Sequence, residues 1–218
     1  MNWNAWAMGQ GISGLYLDAE LNKIDILPQN ILEFCKKWID NPLKESLFLS
    51  GCPGSGKSYL MIALIHELFK KNPLLWQRYS RTVDLFEESL KIMKDGGGSK
   101  IFLGKYAECE ILFFDDVGAE KKTERVEQDF FSIIDYRTNA ALPFVFTSNL
   151  TKDEFGKAYH GRIASRMQMV LEIKFPKRDL RKEKEFMINQ QRMAKFINLE
   201  AIQLDLFKKE YQPSPSPP

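Results

Sequence analysis

The stretch "LFLSGCPGSGKS", Leu47 to Ser58, joins an apolar run of strand length to a loop carrying Gly51, Gly54 and Gly56, and then to Lys57 and Ser58 at the head of a helical pattern. It fits G-x-x-x-x-G-K-[ST] in the strand–loop–helix setting that gives the pattern mechanical meaning. The glycines let the backbone turn its amides inward at a helix N-terminus, where the dipole favours anions. Gly51, Cys52, Pro53, Gly54, Ser55, Gly56, Lys57, Ser58 and the adjoining Tyr59 are therefore expected to cradle the phosphates of a nucleotide. Lys57 would reach the β- and γ-phosphates, and the Ser58 hydroxyl would coordinate Mg²⁺. A plain glycine-rich turn before a helix is the competing reading, and strand, loop, Lys-Ser and helix together outweigh it.

Further strand-length apolar runs follow at Leu74–Tyr79, Ile111–Asp115, Phe144–Thr147 and Val170–Phe175. Most are separated by segments of helical period, at Ser58–Lys71, Val83–Lys94, Thr123–Asn139 and from about Leu180 to Leu206. The alternation predicts an α/β sandwich around a mostly parallel sheet. "KDGGGSK", Lys94 to Lys100, interrupts the chain as a loop between helices, and the tail "YQPSPSPP" has no composition for regular structure.

The run "ILFFDDVG", Ile111 to Gly118, ends a buried strand in two acids. A strand that buries its apolar body and releases Asp115 beside the phosphates meets the requirement of a Walker B metal ligand. The next residue points toward the opposite side of the strand end, which places Asp116 to meet a water in line with the γ-phosphate. The alternative is that Asp116 caps the following turn.

Composition narrows the class. At 218 residues, with 44% hydrophobic and 28% charged residues, the chain has the balance of one globular domain, and no apolar run is long enough to cross a bilayer. Its first residues lack the basic flank and apolar core of an export signal, so the expected location is cytoplasmic. Cys35, Cys52 and Cys109 are widely spaced and accompanied only by His66 and His160, which excludes a metal-ligand cluster and leaves the thiols incidental. A net charge of +2 says little about nucleic acid, because what matters is where the 31 basic residues gather.

"GCPGSGKS", "ILFFDDVGAEKKTERVEQDFFSIIDYR", "LPFVFTSNL", "GRIASRM" and "DLRKEKEF" occur here in the order and spacing of a known group. The chain resembles AAA+ ATPases of the DnaC/DnaI helicase-loader and IstB transposition-helper group, from roughly Tyr16 to Phe186. The resemblance implies a P-loop AAA+ three-layer sandwich with a mostly parallel five-stranded sheet, ATP and Mg²⁺ as cofactors, and ATP hydrolysis stimulated by assembly or DNA; with aspartate at 116 in place of the longer glutamate usual there, either the backbone sits closer to the phosphate or hydrolysis is slow. It further implies that Asn149 in "TSNL" is sensor 1, orienting the attacking water, although a helix N-cap would explain an asparagine there too. Arg166, one turn from Arg162, matches an arginine finger serving the neighbouring subunit, which requires self-association through the ATP site. Arg181 matches the sensor 2 arginine, with Arg178 near enough to compete. The partners implied are DNA, bound without sequence specificity, and either the replicative helicase or a transposase.

The expected organisation is an N-terminal extension over 1–15, the ATPase domain over 16–186, a C-terminal helix over 187–210 and a disordered tail over 211–218. The extension is short for a helicase-gripping region, and Trp3 and Trp6 either form a small docking patch or pack on the core. "QLDLF", comprising Gln203, Leu204, Asp205, Leu206 and Phe207, matches the pentapeptide by which bacterial replication proteins dock on the DNA polymerase sliding clamp. Leu199, Ile202 and Leu206 could equally be the core face of a last helix. Phosphate contacts to DNA could come from Lys94, Lys100 and Lys105, from Lys121, Lys122 and Arg125, or from the basic run "KFPKRDLRKEK".

Overall fold

In the computed structural model, strands β1 (Leu47–Ser50), β3 (Ile111–Val117) and β4 (Phe144–Ser148) are buried at almost every position, as strands covered on both faces must be. The structure describes residues 2–43, 45–95, 104–119, 123–159, 161–182 and the single positions 185, 189, 192, 193 and 195. With β2 (Gln77–Arg81) and β5 (Leu171–Lys174) these strands form a five-stranded sheet in the order β2-β3-β4-β1-β5. All four neighbouring pairs are parallel. The chain divides into two compact units, Met1–Arg178 and Asp179–Pro218, and the sheet lies wholly in the first.

Side chains alternate across this sheet, and the two faces differ in chemistry. Leu47, Leu49, Ile111, Val145 and Ile173 point into a largely aliphatic layer built with helix α3 (Lys57–Lys71) and helix α2 (Gln29–Asp40). Phe48, Leu112, Phe114, Phe144 and Phe146 point into the opposite layer, under α4 (Thr82–Lys94), α5 (Glu124–Asn139), α6 (Lys152–Ala158) and α7 (Gly161–Met167). There Phe130 lies 5.5 Å from Phe146 and 5.9 Å from Phe114, and Phe155 stacks on Tyr159 at 4.3 Å, so one continuous aromatic cluster clamps the helices to the sheet. Each such buried ring contributes about 1.5–3 kcal/mol.

All five expected strands are present, but β2 is displaced. The apolar letters Leu74, Leu75 and Trp76 precede it in a turn in which Asn72 accepts the Leu74 and Leu75 amides, and Leu74 is 88% exposed. Among the described helices without a sequence assignment are α2, whose Leu32, Cys35, Trp38 and Ile39 make a buried stripe, and α6, opened by a capping box between Thr151 and Glu154. Helix α1 (Trp3–Gly9) brings Trp3 onto His66 at 4.3 Å and both tryptophans onto Phe69, and Ala7 and Ile12 are buried in the aliphatic layer. Of the two readings of Trp3 and Trp6, the structure shows packing. Described residues between Leu180 and Lys195 are helical, and the rest of the expected helix, with the QLDLF segment, lies outside the described residues.

Arg137, near the end of α5, is fully buried and has no carboxylate partner among the described residues. Its guanidinium donates instead to the carbonyls of Tyr106, Ala107, Cys109, Glu110 and Pro143, so it fastens the chain entering β3 to the chain entering β4. Burial lowers its pKa and pushes the thiol of neighbouring Cys109 up, while the Cys35 thiol is raised to about 11 by the same cause. Arg137→Ala strands several buried acceptors at once, each costing about 1–3 kcal/mol, so denaturant unfolding should show a loss of about 3 kcal/mol or more.

Candidate functional site

The loop from β1 to α3 follows the geometry its glycines allow. Gly54 and Gly56 have φ of 77° and 100°, and Gly56 opens α3 from that left-handed conformation. At Gly51 a Cβ would fall 2.7 Å from the Phe175 Cβ, so the close approach of β5 to the loop requires glycine. Cys52 Sγ lies 3.5 Å from the Arg178 carbonyl, and the Tyr59 hydroxyl accepts the Glu20 amide at 3.4 Å. These two loop-flanking side chains act as structural ties. Ser55 Oγ is buried with no partner among the described atoms.

Lys57 is folded over the cradle. Its ammonium donates to the Gly51 and Cys52 carbonyls, both at 2.8 Å, and to Asn149 Oδ1 at 3.0 Å. The Asn149 amide then donates through Nδ2 to Asp116 Oδ1 at 3.2 Å. An ammonium can only donate and a carboxylate only accept, which fixes the amide orientation. Asn149 therefore bridges the loop lysine and the second acid, and the helix after it is capped by Thr151 instead.

The paired acids sit in a β-bulge. Phe114 is opposite Phe146 and Val117 opposite Ser148, so Asp115 and Asp116 together face the single residue Thr147. Asp116 has φ of 62°, a left-handed conformation that aspartate tolerates better than most residues. The expected strict alternation at the strand end is thus corrected: the bulge breaks the period of two, and the division between the acids comes from their partners. Asp115, buried, accepts from Ser58 Oγ at 2.8 Å, Thr147 Oγ1 at 2.5 Å and Tyr79 Oη at 3.1 Å. Asp116, exposed, takes Asn149. The Thr147 hydroxyl also accepts the Asp116 amide at 2.8 Å, so one oxygen is bonded to both acids.

Arg166 lies on α7 with its guanidinium paired to Asp135, 4.9 Å above the Phe131 ring, and bonded to the Arg162 carbonyl at 3.2 Å. Arg162 approaches the same ring at 5.9 Å. Arg181 belongs to the second unit, where Asp179 Oδ1 accepts its amide at 3.1 Å in the manner of a helix cap. Among the proposed DNA contacts, Lys105 is paired with Glu88 and Arg125 with Asp129, while Lys100, Lys121 and Lys122 lie outside the described residues. Thr147 and Tyr79 are the site residues the motifs missed. The signal for Thr147 was its place beside Asn149 in "TSNL", whereas a tyrosine in an apolar strand gave none.

A family model described as IstB-like ATP binding protein matches residues 27–166, well over half of the chain. The replicative helicase loader DnaI of Bacillus subtilis is 26% identical over 130 residues, covering 58% of this chain and 40% of that one. A solved DnaC helicase loader superposes with a TM-score of 0.67 at 21% identity, covering 75% of this chain and 100% of that one. A replication initiator DnaA bound to AMPPCP and single-stranded DNA gives 0.65 at 21% identity, covering 81% and 56%. The chain spans less than half the length of the curated relatives it matches. Strand order, nucleotide loop, bulged acids and family model agree, and the chain belongs to the IstB-like ATP-binding family, with the P-loop AAA+ fold of its structural neighbours.

Proposed function

We propose that this chain is an ATPase that binds Mg·ATP and hydrolyses it in an oligomer on DNA, loading or remodelling a replication assembly. The observation that carries this reading is the unbroken run of bonds from Ser58 through Asp115, Thr147, Asp116 and Asn149 to Lys57. It joins a phosphate cradle, a metal-ligand corner and a water-orienting acid in one network. The donor set fits Mg²⁺: one hydroxyl and one carboxylate of hard oxygen character, with the remaining positions left to phosphate and water. Ser58 Oγ and Asp115 Oδ1 would hold the ion, which when bound supplies positive charge to the β- and γ-phosphates. Lys57 would neutralise the γ-phosphate, and Asp116, steered by Asn149, would orient a water for attack. Aspartate is about 1.5 Å shorter than the glutamate common at such positions, and slow turnover stimulated by assembly suits it.

Arg166 would act in the neighbouring subunit as an arginine finger, with Arg181 as sensor 2. The Asp135 pair does not prevent this, because both side chains are about a third exposed and such pairs are worth about 0–1 kcal/mol. DNA, a cytoplasmic location, the replicative helicase, and the sliding clamp through Gln203–Phe207 complete the proposal. Support for the helicase comes from the names of the DnaI and DnaC relatives. A second reading, a transposition helper that recruits a transposase, is favoured by the IstB-like family model.

Asp116→Asn should leave ATP affinity unchanged while phosphate release falls by about 10²-fold or more; wild-type turnover in that chain would remove the assignment. Mixing Asp116→Asn with Arg166→Ala chains should restore about one quarter of wild-type ATPase at equal amounts, the share of interfaces joining an intact acid to an intact finger. No recovery at any ratio would count against a shared site. Affinity capture from the native host separates the partners: helicase supports the loader, transposase the helper, and clamp recovery that Phe207→Ala abolishes supports the tail anchor.

A further inference from the structure

Asp115 has a donor that neither the nucleotide loop nor the β4 tip supplies. We propose that the Tyr79 phenol is a positioning residue for the metal-holding carboxylate, biasing it toward binding with one oxygen and so favouring Mg²⁺ over Ca²⁺. This rests on the Mg·ATP reading above.

The two carboxylate oxygens are treated differently. Oδ1 accepts from both Ser58 and Thr147, at 2.8 and 2.5 Å, and faces the corner where Ser58 would share the ion. Oδ2 accepts from Tyr79 at 3.1 Å. An aspartate carboxylate turns over a broad, roughly two-fold torsion, so bonds to one oxygen alone leave its plane loosely set. A phenol on the other oxygen fixes the plane and takes one of that oxygen's two acceptor positions, so a two-oxygen grip on an ion would have to compete with it. Mg²⁺ demands near-octahedral geometry at short range, whereas Ca²⁺ accepts carboxylates through both oxygens. A carboxylate whose Oδ2 is engaged by the phenol and whose Oδ1 meets the ion together with Ser58 is thereby biased to one-oxygen binding, which discriminates between them.

Tyr79 is itself held firmly. It sits on β2 opposite Phe113, two positions before the residue opposite Asp115. Its ring is packed in the aliphatic layer, and its backbone amide, on the side of β2 away from β3, donates to Gln10 Oε1 at 3.2 Å. Ring and backbone are both anchored, so the hydroxyl has little freedom to choose another acceptor.

The test is binding of a fluorescent non-hydrolysable ATP analogue to the full chain, titrated with Mg²⁺ or Ca²⁺, with Mn²⁺ occupancy followed by electron paramagnetic resonance. Tyr79→Phe removes one oxygen and leaves two hydroxyl donors on Asp115. It should keep the analogue affinity measured in EDTA, raise the Mg²⁺ and Mn²⁺ midpoints about tenfold, and narrow the preference for Mg²⁺ over Ca²⁺, with excess Mg²⁺ restoring binding. Gln10→Ala, which keeps the phenol but frees the backbone carrying it, should move the Mg²⁺ midpoint in the same direction. Wild-type midpoints in both variants overturn the proposal. So does a loss of analogue affinity in EDTA that Mg²⁺ does not rescue, because that is the mark of a structural lesion. A wild-type chain whose analogue binding ignores both cations instead overturns the Mg·ATP reading beneath it.

Discussion

The hydroxyl of Thr147 is the contact on which the site depends. It donates to the carboxylate of Asp115 and accepts the amide of Asp116, so a single oxygen spans the two acids that a bulge has brought side by side. Without that link the extra residue in β3 would have an unpaired amide at the crowded end of a buried strand, where an unmade hydrogen bond costs about 1–3 kcal/mol. With it, the sparse left-handed backbone at Asp116, a conformation costing of order 1 kcal/mol or more, is held in place. The strained backbone thus lies within the candidate site.

The difference between the two acids lies in burial and partners. Asp115 faces inward among three hydroxyls, each able to orient it without bringing a charge, which suits the cation-holding role proposed for it. Asp116 faces outward toward an amide that also holds the loop lysine. Asn149 thus links Lys57 to Asp116 through a single side chain. Behind them, the phenylalanine layer and the buried Arg137 hold β3 and β4 in register, so the tips carrying Asp115 and Thr147 meet at hydrogen-bonding distance.

Much of this was legible in the chain. Three strands read directly because both faces are covered, which makes their sequences continuous apolar runs, and the nucleotide loop read from its glycines and Lys57-Ser58. What failed to read has physical causes. Hydrophobicity alone placed β2 too early, because Leu74 and Leu75 belong to a turn set by Asn72. The bulge was hidden since two acids in a row look like ordinary alternation until the partner strand shows one residue opposite two. Tyr79 carried no signal, as a buried tyrosine is mostly a packing residue and only the neighbouring strand reveals what its hydroxyl meets. Asn149 offered two roles by type, and the capping box at Thr151 and Glu154 separates them.

The two margins of the sheet are finished in different ways. At β2 the Gln10 side chain takes up the amide of Tyr79, an amide group standing where another strand's carbonyl would have been. At β5 the outermost strand carries Glu172 and Lys174, paired at 3.5 Å, so that a second strand laid alongside would have to accommodate charge. An open parallel sheet is a template for unwanted strand addition, and both margins are defended against it. A strand added by another copy of this chain would have to displace the Gln10 amide at one margin or accommodate the charged pair at the other.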